Sequence, residues 1–325
     1  MGQGDEWHKH AVAPNRKATT AANYRMLVAA YIVPNIGSKR LDRLTVADIQ
    51  RLYSELRRSG GRGGKPLSGT QVRNIHRVLH NMLSYARRMG YLAVNPADAV
   101  EKPREDTRER TVYTPEQVRL FLTAAQEDRL GALWHLVVTT GLRRAEVAGL
   151  RWKDVNLDAV PPVLMVRSSQ TMAGATVIET SPKTRAGRRT IVLDGSTSEA
   201  LRAHGKRMIV EAEELGTGGL SQYVFVDEVG EPYRPVTITR LLHAFQQKVG
   251  LPEITLHDLR HTSATLALLA GVHPKVVSER HGHASTQIIL DRYSHVLESM
   301  QVSAAEAIGR FLVGGLGEGR PLPEQ

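Results

Sequence analysis

The chain has 325 residues, with 43 Lys or Arg against 33 Asp or Glu, a net charge of +10 at neutral pH. An apolar fraction of 41% is enough for folded cores and excludes a wholly disordered chain, which needs low hydrophobicity. The longest apolar stretch, near Ala264 to Val272, falls far short of the roughly 18 residues of a membrane-spanning helix, and there is no cysteine. Disulfides, thiolate metal sites and cysteine nucleophiles are therefore excluded.

At roughly 150 residues per domain the length suggests two domains. The first ten residues show no apolar signal segment, so the expectation is a soluble, cytoplasmic protein without a membrane partner. The charge is uneven. Residues 1–110 carry 20 Lys/Arg against 10 Asp/Glu, and residues 111–325 carry 23 of each. A basic first third suits a polyanion such as DNA; it also suits a plain solvated surface.

Residues 18–32 predict a helix, with Tyr24, Leu27, Val28 and Tyr31 spaced by three and four. Thr45 is placed to cap a helix that shows Ile49, Leu52, Tyr53 and Leu56 on one face. The glycine-rich stretch 59–69 reads as a loop. Residues 70–91 predict a further helix with the stripe Val72, Ile75, Val78, Leu79, Met82 and Leu83. Residues 1–100 thus read as an all-helical bundle, and the charged, proline-marked run 101–112 as a linker. A second domain, 113–300, opens at Thr114-Pro115-Glu116-Gln117, an N-cap, a first-turn proline and a capping-box partner. Within it residues 162–170, 175–181 and 188–193 read as short strands, and helices follow. The fold class is mainly α with a small antiparallel β-sheet. In the tail 301–325, Val302, Ala305, Ile308, Phe311 and Leu312 form an apolar stripe.

Four segments of the second domain hold chemistry-bearing residues: 139–152, 181–193, 256–268 and 279–296. Each piece alone has an ordinary reading. Arg143 could be a helix-surface cation, Lys183 a turn lysine, and Tyr293 one of nine tyrosines in a core. His257, Arg260 and His261 would share one helical face and form a polar surface. Their order is another matter. Gly-Leu-Arg-x-x-Glu, a turn lysine, His-x-x-Arg, Gly-His, and a tyrosine ten residues after that histidine follow one another.

This ordered set resembles the tyrosine recombinase (phage integrase) family, over about residues 6 to 300. Residues 20–58 also look like the helical core-binding domain of the integrase branch. The resemblance implies a mixed α/β catalytic domain behind an N-terminal DNA-binding bundle. It implies a site-specific recombinase that cuts and rejoins duplex DNA through a 3′-phosphotyrosyl intermediate and a four-way junction. In that reading Tyr293 is the nucleophile, Arg143 and Arg260 clamp the scissile phosphate, and Lys183 protonates the departing 5′ oxygen. His257 accepts the tyrosine proton, His283 bonds the phosphate, and Glu146 orients the site. The partners implied are double-stranded DNA at attachment or core sites, a homotetramer on two duplexes, and an accessory directionality or DNA-bending protein. The setting is the bacterial nucleoid, the source a phage or mobile element, and no metal or other cofactor is called for. The tail would dock on a neighbouring protomer or pack on its own domain.

The residue types fit this chemistry on their own. The transition state of phosphoryl transfer concentrates charge on the equatorial oxygens, so catalysis is mostly positioning and charge stabilisation. Guanidinium forks match phosphate oxygens and stay charged. A tyrosine with a pKa near 10 needs a base or nearby cations before it attacks. Arg73, Arg77, Arg87 and Arg88 on the third helix, and Arg185, Arg188 and Arg189 beside Lys183, are further DNA-contact candidates. Two departures stand out. The family commonly has Leu-Gly-His where this chain has His281-Gly282-His283. Only a few residues precede Trp7, so the arm-type DNA-binding domain that many integrases of this branch carry is expected to be absent from this sequence, either naturally or by truncation. The rivals are a histidine metal site, since six of 13 histidines lie between His257 and His295, and a DNA binder without catalysis. The first lacks His-Glu-x-x-His spacing, and the second is opposed by six chemically competent positions.

Overall fold

The computed structural model describes residues 2–104, 106, 111–174, 176–180, 187–216, 219–283 and 285–292, with a few helical positions between 305 and 312. It divides into two compact units, Met1–Glu109 with Met172–Ile178, and Arg110–Thr171 with Glu179–Gln325. None of the described helices is long and apolar enough to cross a membrane.

In the first unit α1 (Gly2–Trp7) runs on through His8–Val12, and α2 (Ala18–Leu27) runs on through Val28–Ile32 into α3 (Val33–Ile36). Both continuations are wide turns. Ala13 donates its N–H to the His8 carbonyl at 2.8 Å, and Val33 donates to Val28. Each bond spans five residues rather than four, so the buried positions recur at a spacing of five. Trp7 is followed in the core by Val12, and Leu27 by Ile32. This corrects the stripe expected from spacings of three and four: Tyr31 is only partly buried and Ile32 takes the core position.

α4 (Val46–Ser59) starts as expected. Thr45 accepts from the Asp48 N–H at 3.2 Å, while the Asp48 carboxylate accepts from the Thr45 N–H at 3.2 Å. Ile49, Leu52, Tyr53 and Leu56 are buried. α5 (Gly69–Arg88) is capped by Ser68 and buries Val72, Ile75, Val78, Leu79 and Leu83, with Met82 partly buried. Arg73, Arg77, Arg87 and Arg88 are all exposed. At roughly 100° per residue they fall within an arc of about 100°, away from the core stripe.

The second unit opens with α6 (Pro115–Ala125), where Thr114 and Gln117 form the expected reciprocal cap. α7 (Gly131–Thr140) buries Leu133, Trp134, Leu136 and Val137. A helix that is apolar nearly all round belongs inside. Accordingly α7 packs against α6, α9 (Gly195–Glu214) and α11 (Leu256–Leu269). Between α8 (Arg144–Ala148) and α9 the described residues form five strands, β1 (Val155–Asn156), β2 (Val163–Val166), β3 (Ser169–Ala173), β4 (Thr176–Thr180) and β5 (Arg189–Val192), of which the span Met172–Ile178 groups with the first unit. The run 162–170, expected as one strand, is two. β2 lies between β1 and β5 in an antiparallel sheet, and β3 pairs with β4. The run changes partner at Arg167-Ser168, where the Ser168 hydroxyl donates to the Gly149 carbonyl at 2.9 Å. α10 (Pro235–Val249), α12 (Pro274–His281) and α13 (Gln287–Arg292) complete the unit. The architecture is the expected one, mainly helical with small antiparallel sheets. In the tail Ile308 and Leu312 are exposed, whereas Val302 and Phe311 lie outside the described residues.

Removing a cap leaves helix N–H groups without partners. Thr45→Ala is expected to destabilise the first unit by about 1 kcal/mol, measured as a lowered thermal midpoint.

Candidate functional site

The site is built around the C-terminal end of α12. A helix leaves its last carbonyls without intrahelical donors. Here Gly282, at φ +63°, turns the chain, its N–H donating to Glu279 O at 2.9 Å and that of His283 to Ser278 O at 3.0 Å. The next three carbonyls accept from three arginines. Arg189 Nε donates to Arg280 O at 2.7 Å, Arg260 Nη2 to His281 O, and Arg143 Nη2 to Gly282 O at 2.7 Å. The negative end of the helix dipole favours cations there. Arg260 also donates through Nη1 to Gly141 O at 2.5 Å and is only 3% exposed.

Gly141 ends α7 in the left-handed region, at φ +63°, with its N–H on Val137 O at 2.9 Å. A Cβ there would stand 2.2 Å from His281 Nε2. The glycine of Thr-Gly-Leu-Arg is thus required twice, by backbone geometry and by close approach. Leu142 anchors the turn in the core, and Arg143 emerges with its side chain 40% exposed.

Glu146, three residues on, takes the Arg143 backbone N–H at 2.9 Å and Arg143 Nη1 at 2.8 Å. Arg189 grips the same carboxylate with both terminal nitrogens, at 3.0 and 2.9 Å. Burial by itself would raise the Glu146 pKa. The Arg189 hydrogen bonds and charge, with those of Arg143, overcome it and hold the group below its ordinary value. Arg189, expected as a DNA contact, is therefore placed differently: its side chain is 7% exposed and spent on Glu146 and backbone carbonyls. Strand alternation carries the signal for this. Arg189 shares a face of β5 with buried Ile191, while Thr190 and Val192 point outward. Arg280, which the sequence reading passed over, ties α12 to its neighbours through Val192 O at 2.8 Å and Thr139 O at 3.2 Å.

On α11 the three motif residues separate. Arg260 and His261 are buried and His257 is exposed, its ring meeting that of His261 edge-on at 4.6 Å. His283 is half-buried, its ring 5.9 Å from that of His281. The structure therefore brings Arg143, Arg260 and His283 to one backbone turn, with His257 one helical turn before Arg260. Arg188 is exposed. Lys183, Arg185 and Tyr293 lie outside the described residues.

Because Glu146 is the buried counter-ion of two arginines, Glu146→Ala is expected to cost about 3–5 kcal/mol, read as a lowered unfolding midpoint. Its lowered pKa sets the sign of the pH dependence. The stabilisation is full above the ordinary carboxylate range, about 4.3, and is lost as pH falls through the lower folded-state value.

The profile of the Phage integrase family matches residues 111–300, and that of the phage integrase N-terminal SAM-like domain matches residues 5–57. A tyrosine recombinase XerC-like protein of Caldanaerobacter subterraneus subsp. tengcongensis is 26% identical, over 94% of this chain and 82% of that one. The integrase of Mycobacterium phage L5 is 26% identical, over 86% of this chain and 71% of its own. Among solved structures, the Tn1549 transposon integrase in complex with transposon right end DNA is similar in fold. Its TM-score is 0.73 at 22% identity, over 93% of this chain and 98% of that one. A lambda integrase tetramer bound to a Holliday junction gives a TM-score of 0.64 at 19% identity, over 87% and 77%. With the family profile spanning more than half of its length, and the motif arginines gathered on one helix end, the chain belongs to the phage integrase family of tyrosine recombinases, enzymes that cleave and rejoin DNA.

Proposed function

We propose that this recombinase integrates or excises a phage or other mobile element by site-specific strand exchange, with Tyr293 as nucleophile. The observation that carries the reading is the meeting of Arg143 and Arg260 on the carbonyls of residues 281 and 282, within the ordered motif set. A guanidinium has five donors in one plane. Bonds to fixed carbonyls set that plane, so the two arginines are held in defined orientations before any phosphate arrives. Preorganised cations of this kind stabilise the equatorial oxygens of a phosphoryl-transfer transition state.

In this reading Tyr293 Oη attacks the scissile phosphorus and passes its proton to His257. The bond from phosphorus to the 5′ oxygen breaks, and Lys183 protonates that oxygen. A 3′-phosphotyrosyl link forms, with Arg143, Arg260 and His283 on the non-bridging oxygens. The 5′ hydroxyl of a partner strand then reverses these steps, so the phosphoester energy is kept. Exchange of two strand pairs through a four-way junction calls for four protomers on two duplexes, as in the lambda integrase tetramer bound to a Holliday junction. Exposed Ile308 and Leu312 support a docking role for the tail between neighbours. An accessory directionality or DNA-bending protein belongs to the same scheme.

The test is covalent trapping on nicked suicide duplexes drawn from a pool of candidate attachment sequences, in EDTA. Wild type should give an SDS-resistant protein–DNA adduct and Tyr293→Phe none. An adduct that persists in the phenylalanine variant would sink the assignment of the nucleophile.

For affinity, the exposed arginine face of α5 is assigned to the DNA backbone. Each phosphate contact releases counterions, so binding weakens steeply with salt. Arg73→Ala with Arg77→Ala should lower the slope of log K against log salt by about 2, measured by fluorescence anisotropy, and equally on specific and random duplexes.

A further inference from the structure

His281 occupies an unusual place for a polar ring. It is 1% exposed, lies in the turn that receives Arg260 and Arg143, and is pressed against the Cα of Gly141. Its Nδ1 is 2.9 Å from the Val277 carbonyl. A carbonyl only accepts, so the hydrogen sits on Nδ1 and Nε2 carries the lone pair. Nε2 is buried at the face of Gly141, with no hydrogen-bond partner among the described residues. The ring therefore acts as a neutral spacer. On one side it sets the distance to Gly141, whose carbonyl takes Arg260 Nη1. On the other it is the side chain of the residue whose carbonyl takes Arg260 Nη2.

We propose that His281 is an acid-sensitive positioning residue: its neutral ring wedges Gly141 against the end of α12 and so holds both carbonyls that orient Arg260, and a second proton, taken up at Nε2, releases that hold. The role rests on the reading that Arg260 grips the scissile phosphate. Protonation turns Nε2 into a donor facing a Cα, where nothing accepts, so the ring has to move and carry its neighbours with it. The surroundings oppose the charge. Burial acts first, followed by Arg260 from α11; the hydrogen bond to the Val277 carbonyl pulls the other way, His283 on the same turn and Arg189 from β5 add to the lowering, and the balance holds the ring's pKa well below that of an ordinary histidine. The carboxylate of Glu146 is committed to Arg189 and Arg143. The sign follows. With the folded-state pKa lowered, the ring's contribution is intact above about 6.5, the unfolded value, and is lost as pH falls below it.

The experiment compares wild type with His281→Leu, an apolar side chain that cannot titrate. His281→Met serves as a second variant, since its flexible chain fits an irregular gap. Two quantities are followed from pH 8 to pH 5: the single-turnover rate of covalent adduct formation on a nicked duplex, and the thermal midpoint without DNA. Each rate is normalised to the same protein's value at pH 8. At the acid end of this range the wild-type rate should fall further than that of either variant, because each pH unit below the unfolded value weakens the hold by up to about tenfold. The wild-type midpoint should also drop further. Rate and midpoint profiles that stay parallel between wild type and both variants would overturn the proposal. A wild type that forms no adduct at any pH would fail the strand-transfer reading instead; the midpoints need no substrate and judge the wedge separately.

Discussion

Three consecutive carbonyls at the end of one short helix hold the second unit's site together. Arg189, Arg260 and Arg143 reach the carbonyls of residues 280, 281 and 282 from a strand, a helix and a turn that are far apart in the chain. A buried carbonyl without a donor is costly, and a helix end supplies several of them. Arginine suits the task because its planar head serves an acceptor and keeps donors in other directions. One set of bonds thus completes the α12 terminus and fixes the direction of three side chains.

The arrangement buries positive charge, and burial of that kind is seldom a source of stability. Arg260 and the Arg189 side chain are almost wholly withdrawn from water. Glu146 offsets part of this by binding Arg189 with both oxygens and Arg143 through backbone and side chain. The gain is order. Arg143 stays half-exposed while its backbone and head group are both tied, so a partly exposed cation is held in one orientation. Two glycines make the geometry possible. Gly141 and Gly282 both sit at φ +63°, one ending α7 and the other ending α12, and His281 fills the space that the missing Gly141 side chain leaves.

The first unit follows plainer rules. Its core comes from helices with one apolar face, and its start signals are local. Its departures from a regular pattern are the two wide turns, each of which shifts the buried face by one residue. The arginines of α5 stand clear of that core, so the same helix can be a packing element on one face and a basic surface on the other.

Much of this was legible in the residues alone. The Thr45 and Thr114 caps, the apolar stripes of α4 and α5, and the order of the motif residues depend on neighbours within a few positions, and the chain order itself marks the family. Other features were not legible. The wide turns at His8–Val12 and Val28–Ile32 have no strong local signature, and the division of residues 162–170 between β2 and β3 depends on which distant strand each half meets. The site shows the limit most clearly. Arg143 and Arg260 were named from their motifs, but that they meet on residues 281 and 282, that Arg189 turns inward to Glu146, and that His281 wedges against Gly141 were decided by tertiary structure. The reason is physical: the acceptors are backbone carbonyls, which every residue carries alike, so only the fold determines which of them a given arginine reaches.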